Sequence, residues 1–326
     1  MLRKYARERH AVISNVTCRG RAMLAIITGG TGFIGTGLSR RLQAAGYDVA
    51  VLTRRANAGG KSQGRRLRYL RWDGRTADGW RSYADGADAL VNLAGANIAG
   101  RRWTEDYKET ILQSRLAAGA AVVDAVATAR VKPAVLVQAS AVGYYGSRGD
   151  DELDEASPAG DGFLAEVVRK WEASTEAVEA LGVRRVIIRS GLVLGADGGA
   201  FPRLIRPFKL FAGGPLGGGR QWFPWIHYLD EIGAITFLVE NPAARGIFNL
   251  CAPEAIRNND FSRAVGRVLR RPWWWPVPAF ALRALYGDMA DALLLASAKV
   301  TPARLPAAGF KFEFPTAEAA LKQLIR

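Results

Sequence analysis

The stretch Leu24-Ala-Ile-Ile-Thr-Gly-Gly-Thr-Gly-Phe-Ile-Gly35 constrains this chain more than any other. Four apolar residues, Leu24 to Ile27, read as a buried strand. Glycines follow at Gly29, Gly32 and Gly35, and then Leu38, Leu42 and Ala45 recur at helical spacing until Gly46. A strand, a glycine turn and a helix in this order form a cradle for a dinucleotide pyrophosphate. The glycines let backbone approach the phosphates, and the helix N-terminus offers unpaired N–H groups at the positive end of its dipole. Read blandly, the same pattern is a tight strand-to-helix turn with no ligand.

The next strand selects the nucleotide. Asp48-Val-Ala-Val-Leu-Thr53 is strand-like, and NAD-specific folds place an acid at its end to hold the ribose 2′-hydroxyl. Here the strand ends in Thr53-Arg54-Arg55. A guanidinium forks onto phosphate oxygens, so Arg54 and Arg55 predict NADP(H). The alternative is a pair of solvated charges at a strand end.

Strand and helix signals then alternate. Leu67 to Trp72 reads as a third strand, ending at Asp73-Gly74. Asp73 is either an adenine contact or an ordinary turn residue. Ala89 to Ala94 reads as a fourth strand, Asp106 to Val126 as a long helix, and Ala134 to Gln138 as a fifth strand. Asp161 to Leu181 reads as one amphipathic helix, and Arg185 to Ile188 as a sixth strand. This alternation predicts an α/β fold, a doubly wound parallel (Rossmann) sheet, with a small mixed C-terminal region. Residues 23–250 form the dinucleotide-binding domain, with substrate-side loops from about 196, and 251–326 a small C-terminal domain. Phe248 to Leu250 reads as a late strand. Beyond Trp273 a helical appendage ends in a short strand around Phe310 to Phe314. Trp273, Trp274 and Trp275 suit appendage packing or a homodimer contact.

Charge bounds the partners. The formal net charge is +15, yet no basic run is interleaved with aromatics, so no nucleic-acid footprint is evident. A basic body suits NADP and a small, anionic substrate. Cys18 and Cys251 form no disulfide framework, and two histidines make no zinc site. Residues 1–22 hold six basic residues and one acid but no apolar core of a secretory signal. They read as sequence upstream of a start at Met23, a disordered arm or an organelle import segment. The expected location is the cytoplasm. The best apolar stretch, Pro276 to Ala298, carries Arg283, Asp288 and Asp291, which argues against a membrane span.

Further motifs follow in order: Asn92-Leu-Ala-Gly-Ala-Asn-Ile98, Arg102-Trp-Thr104, Ser114-Arg115 and Ser140-Ala-Val-Gly-Tyr-Tyr-Gly146. After them come Arg189 to Gly195, Gly214-Pro-Leu-Gly217, Gln221-Trp-Phe-Pro-Trp-Ile-His227 and Pro302 to Phe310. The series resembles the extended short-chain dehydrogenase/reductases, the sugar-nucleotide epimerase and dehydratase class. It is most similar to an atypical branch whose members carry a small C-terminal domain of unknown function. The resemblance implies that Gly29, Thr31, Gly32, Phe33, Ile34 and Gly35 hold the pyrophosphate. It implies Leu93, Ala94 and Gly95 beside the ribose, Ser140 near the nicotinamide, and Gly191, Leu192 and Val193 over the carboxamide. Arg115 becomes a second anion contact on the cofactor side.

One departure from the wider family bears on chemistry. Working members carry a Tyr acid/base with a Lys one helical turn later. In Gly162 to Glu172 those positions hold Phe163 or Leu164 and Val167 or Val168, and Glu166 with Lys170 reads as an exposed ion pair. Replacement candidates are Ser140, Tyr144 and Tyr145, although counting back from Gly146 places Ala141, not Ser140, at the serine position. Arg220, Trp222 and His227 are candidate substrate contacts. The expected activity is NADP-dependent oxidoreductase or epimerase chemistry on a small or nucleotide-linked polar substrate. The rival is a non-catalytic NADPH-binding sensor or scaffold.

Overall fold

The computed structural model describes residues 22–54 and 66–325; the leader up to residue 21 and Arg55 lie outside the described residues. Seven parallel strands form the central sheet: β1 (Leu24–Thr28), β2 (Asp48–Thr53), β3 (Leu67–Arg71), β4 (Ala89–Asn92), β5 (Val135–Ala141), β6 (Arg184–Ser190) and β7 (Gly246–Leu250). Their order is β7-β6-β5-β4-β1-β2-β3. The direction of winding therefore reverses between β1 and β4, the crevice where this fold receives its ligand.

Parallel strands buried on both faces carry apolar residues at successive positions, and here alternate side chains divide between two cores. Ala25, Ile27, Val49, Val51, Val91 and Val137 enter one core. Ile26, Ala50, Leu52, Leu90 and Leu136 enter the other. Two helices cover the first face: α1 (Phe33–Ala44) and α4 (Tyr228–Glu240). The second face is covered mainly by α2 (Glu105–Thr128), through Ala118, Ala121, Val122 and Val126. The Thr104 hydroxyl caps α2 by accepting from the Tyr107 N–H, and Glu105 and Asp106 complement its dipole. By length and composition α2 could cross a bilayer, a better match than Pro276 to Ala298. Its buried stripe against the sheet makes it a core helix.

Two sequence expectations are corrected. The helix foreseen from Asp161 to Leu181 is broken into α3 (Phe163–Ala173) and a single turn at Ala177–Ala180. Ser174 donates its hydroxyl back to the Trp171 carbonyl at 2.6 Å and wedges against Gly119, where an added Cβ would lie 2.1 Å from its oxygen. The strand foreseen at Phe310 to Phe314 does not pair with a neighbour. The Glu313 and Phe314 N–H groups donate instead to the Asp230 carboxylate, at 2.8 and 3.0 Å.

The C-terminal residues pack on the substrate-side segment. Phe261, Val265, Ala320 and Leu321 share a core with Phe201, Ile205 and Phe208. Lys299–Val300 pairs in parallel with Glu152–Leu153 and ties this region to the main domain.

Candidate functional site

The glycine turn after β1 admits nothing larger. Gly29 has φ +65°, and a Cβ there would meet the Leu93 carbonyl oxygen at 2.8 Å. A Cβ on Gly35 would lie 2.5 Å from the Gly30 Cα. Gly32 is the N-cap of α1, with no side chain capping the helix and no acid in its first turn. The leading N–H groups thus keep their capacity and positive field for an anion. Thr31 and Gly32 are exposed. Phe33 has a structural side chain, stacked on Tyr228 at 4.6 Å and fitted against Gly195 and Gly198. Phe33 and Ile34 therefore present backbone to the crevice.

Arg54 is exposed at the end of β2, and among the described residues it has no ion-pair partner. Its stem runs beside Gly74, whose Cβ would stand 3.6 Å from the Arg54 Cδ. Asp73 closes its own turn. Its carboxylate accepts from the Arg75 and Thr76 N–H groups at 2.7 and 2.9 Å, and these bonds hold it below the usual carboxylate range. Of its two sequence readings, the turn residue accounts for these contacts.

The exit of β4 is fixed by buried polar groups. The Thr28 hydroxyl donates to the Asn92 Oδ1 at 2.6 Å and accepts from the Leu93 and Ala94 N–H groups. This sets Leu93, Ala94 and Gly95 along the crevice. Arg115 lies behind Gly95, its Nη1 donating to the carbonyls of Ala96 and Ile111 and its plane 4.7 Å over the Trp171 ring. Burial pushes its guanidinium down to about 10, and among the described residues no carboxylate pairs with it.

Arg115 also lines a cavity of about 600 Å³ at the C-terminal ends of β5 and β6. Ala141, Val142 and Gly143 form one wall, and Gly191 and Leu192 another. Val193 lies beyond them, paired with Ile226. Helix α3 contributes Phe163, Leu164, Val167 and Val168, so the positions of the missing Tyr and Lys do face the cavity and are apolar. Glu166 and Lys170 point away as an exposed pair at 2.6 Å. Trp103, Ser190, Phe223 and Leu293 also line it, and Lys108, Asp161, Gln221, Asp288 and Asp291 add polar groups to the wall. Sequence reasoning held Trp103 and Ser190 only as members of the Arg102-Trp-Thr104 and Arg189 to Gly195 motifs, without saying where either side chain points, and it missed Leu293.

Several site expectations are corrected. Ser140 is buried on the opposite face of β5 from Ala141 and donates to the Glu172 Oε1 at 2.5 Å. Successive strand residues face opposite ways, so the count from Gly146 identifies the cavity-facing position. Tyr145 is fully buried, donates to the Asn249 Oδ1 at 2.7 Å and accepts from Arg189. Burial pushes its hydroxyl up to about 12. Tyr144 lies with its ring against the Arg189 guanidinium, 3.3 Å from the ring centre. Neither tyrosine lines the cavity. His227 is buried as the N-cap of α4. Its Nδ1 accepts from the Leu229 N–H, so Nε2 carries the proton and donates to the Gln323 Oε1 at 3.0 Å. Burial lowers its pKa, and the ring is neutral and structural. Arg220 is exposed outside the cavity. Trp222 does line it, anchored by its indole N–H donating to Asp150 and by Arg257 over its ring.

Residues 25–251 match the NAD dependent epimerase/dehydratase family, and residues 277–324 match a Domain of unknown function (DUF1731). The chain is 40% identical to the Epimerase family protein SDR39U1 homolog, chloroplastic, of Arabidopsis thaliana, over 93% of this chain and 87% of that protein. It superposes on the crystal structure of human epimerase family protein SDR39U1 (isoform2) with NADPH at a TM-score of 0.82 and 35% identity, covering 93% and 99% of the two chains. UDP-N-acetylglucosamine 4-epimerase from Bacillus cereus shares the fold at a TM-score of 0.72 and 14% identity, over 93% and 95% of the chains. The chain therefore belongs to the NAD dependent epimerase/dehydratase family, in the atypical branch that adds this second domain.

Proposed function

We propose that this chain binds NADP(H) and acts as an epimerase-like oxidoreductase on a small, largely apolar carbonyl or alcohol compound. Arg54 at the end of β2, unpaired and with no acid beside it, carries the choice of dinucleotide. The NADPH in the human relative's structure supports the same choice. Gly29, Gly32 and Gly35 with the uncapped start of α1 would hold the pyrophosphate. When bound, the dinucleotide supplies or accepts a hydride.

The cavity walls bear on the substrate. Trp103, Phe163, Leu164, Val167, Trp171 and Leu293 make most of the surface apolar, against which many of a nucleotide-linked sugar's hydroxyls would go unmet. An apolar compound with one or two oxygens suits it better. Phe163 and Val167 exclude water and provide no proton. Titration with NADPH and NADH tests the dinucleotide, and equal affinity for the two would refute it. A second reading, a sensor that binds NADPH without turnover, draws support from these same two residues. Tight NADPH binding with no turnover across a panel of apolar ketones and alcohols would favour it.

A further inference from the structure

Ser190 ends β6 at the cavity wall, next to Gly191. Behind it, in the first turn of α4, stands Glu231, completely buried. The Ser190 Oγ and the Glu231 Oε1 are 2.6 Å apart. The other carboxyl oxygen, Oε2, has no hydrogen-bond partner.

No cation among the described residues is placed to pair with Glu231. Arg189, the next residue back on β6, is committed to Glu172 at 2.8 Å. Beyond the end of β7, Cys251 is a thiol pushed up by burial, with Glu155 and Glu231 adding to the shift. Glu155 accepts from the N–H groups of Asn249 and Arg304. On α4 itself, Asp230 accepts from Glu313 and Phe314, and the His227 ring is neutral. An isolated carboxylate in such a place is costly, and the neutral acid is the stable form. Burial accordingly pushes Glu231 up to about 8.

The orphaned Oε2 decides where the acid's proton sits. On Oε2 it would have no acceptor; on Oε1 it donates to the Ser190 oxygen. The Ser190 hydroxyl hydrogen is then released from Glu231 and turned towards the cavity. We propose that Ser190, backed by the neutral Glu231 carboxyl, is the hydrogen-bond anchor of the cavity and donates to the carbonyl oxygen of an otherwise apolar ligand. This rests on reading the cavity as the ligand site. When Glu231 ionises, Ser190 donates to it instead, and the ligand meets only lone pairs.

The test uses the full chain with two probes of similar shape, 2-acetylnaphthalene and 2-ethylnaphthalene. Binding is followed by calorimetry between about pH 6.5 and about pH 9.5, spanning the Glu231 titration. The bound ketone's carbonyl stretch is read by infrared difference spectroscopy. The ketone should bind more tightly than the hydrocarbon, with a lowered stretching frequency. This advantage should fall roughly three- to tenfold as the pH rises through about 8. Ser190→Ala should abolish both the advantage and the frequency shift. Glu231→Gln, whose amide donates to Ser190 at every pH, should keep the shift and remove the pH dependence. Equal binding of the two probes, or a shift that survives Ser190→Ala, overturns the anchor. If neither probe binds while NADPH does, the anchor falls and the dinucleotide reading stands.

Discussion

The Arg189 guanidinium forks onto the Glu172 carboxylate, Nε to Oε1 at 2.8 Å and Nη2 to Oε2 at 3.0 Å, with both side chains buried. Burial alone would lower the Arg189 pKa, but Glu172 more than offsets it and keeps the group charged. Ser140 and Tyr145 join the same network, which braces the ends of β5 and β6 behind the cavity. Glu172→Ala leaves a buried charge without a partner, at a cost of about 3–5 kcal/mol. The melting temperature should fall on the order of 10 °C. Ser140→Ala, which removes one hydrogen bond, should cost about 1 kcal/mol. Thermal denaturation of the two variants checks this ordering.

Arg54→Ala should weaken NADPH binding by roughly tenfold to a hundredfold, the worth of one charge-assisted contact. NADH affinity and the melting temperature should not move, because the side chain is exposed and unpaired. Parallel titrations of both dinucleotides provide the measurement.

Gly35→Ala puts a methyl group 2.5 Å from the Gly30 Cα and 2.6 Å from the Gly29 oxygen. Both contacts are backbone, so α1 must shift away from the turn. The expected result is a loss of about 1–3 kcal/mol of stability together with loss of NADPH binding. An alanine variant that melts and binds as the parent does would show the cradle to be looser than described.

His227 makes stability depend on pH. Its folded pKa is lowered by burial, against the Gln323 contact, so below about pH 6.5 the unfolded chain takes up a proton that the folded chain refuses. The contribution is present above that pH. It should be lost at up to about 1.4 kcal/mol per pH unit as the pH falls, until the folded pKa is reached. His227→Gln should flatten this part of the profile in denaturant titrations.

The sheet and the glycine cradle were legible because their causes are local: apolar runs of strand length, and glycines where backbone approaches backbone. The apolar residues at the positions where the family resemblance implies a Tyr and a Lys, Phe163 or Leu164 and Val167 or Val168, all stand in the cavity wall. Other features depend on partners distant in sequence. The break after Ala173 comes from Ser174 meeting Gly119, and the extended run at Phe310 to Phe314 serves Asp230. The choice between Ser140 and Ala141 turned on a single residue of register, which reverses the face of a strand side chain. Ser190 stood within the Arg189 to Gly195 motif with no role attached, and Glu231 carried no signal, since a Glu after an Asp reads as a solvated position.

The wall from Asp288 to Ala298 is held at several points. Asp288 meets Lys108 at 2.9 Å, the Leu294 carbonyl accepts from Gln221, and Ser297 bonds to Gly149. None of these contacts touches the glycine turn or Arg54. This part of the proposed ligand cavity and the glycine turn thus lie in separate stretches of chain. A graft of this wall between relatives should transfer ligand preference as a module and leave the grip on the dinucleotide intact.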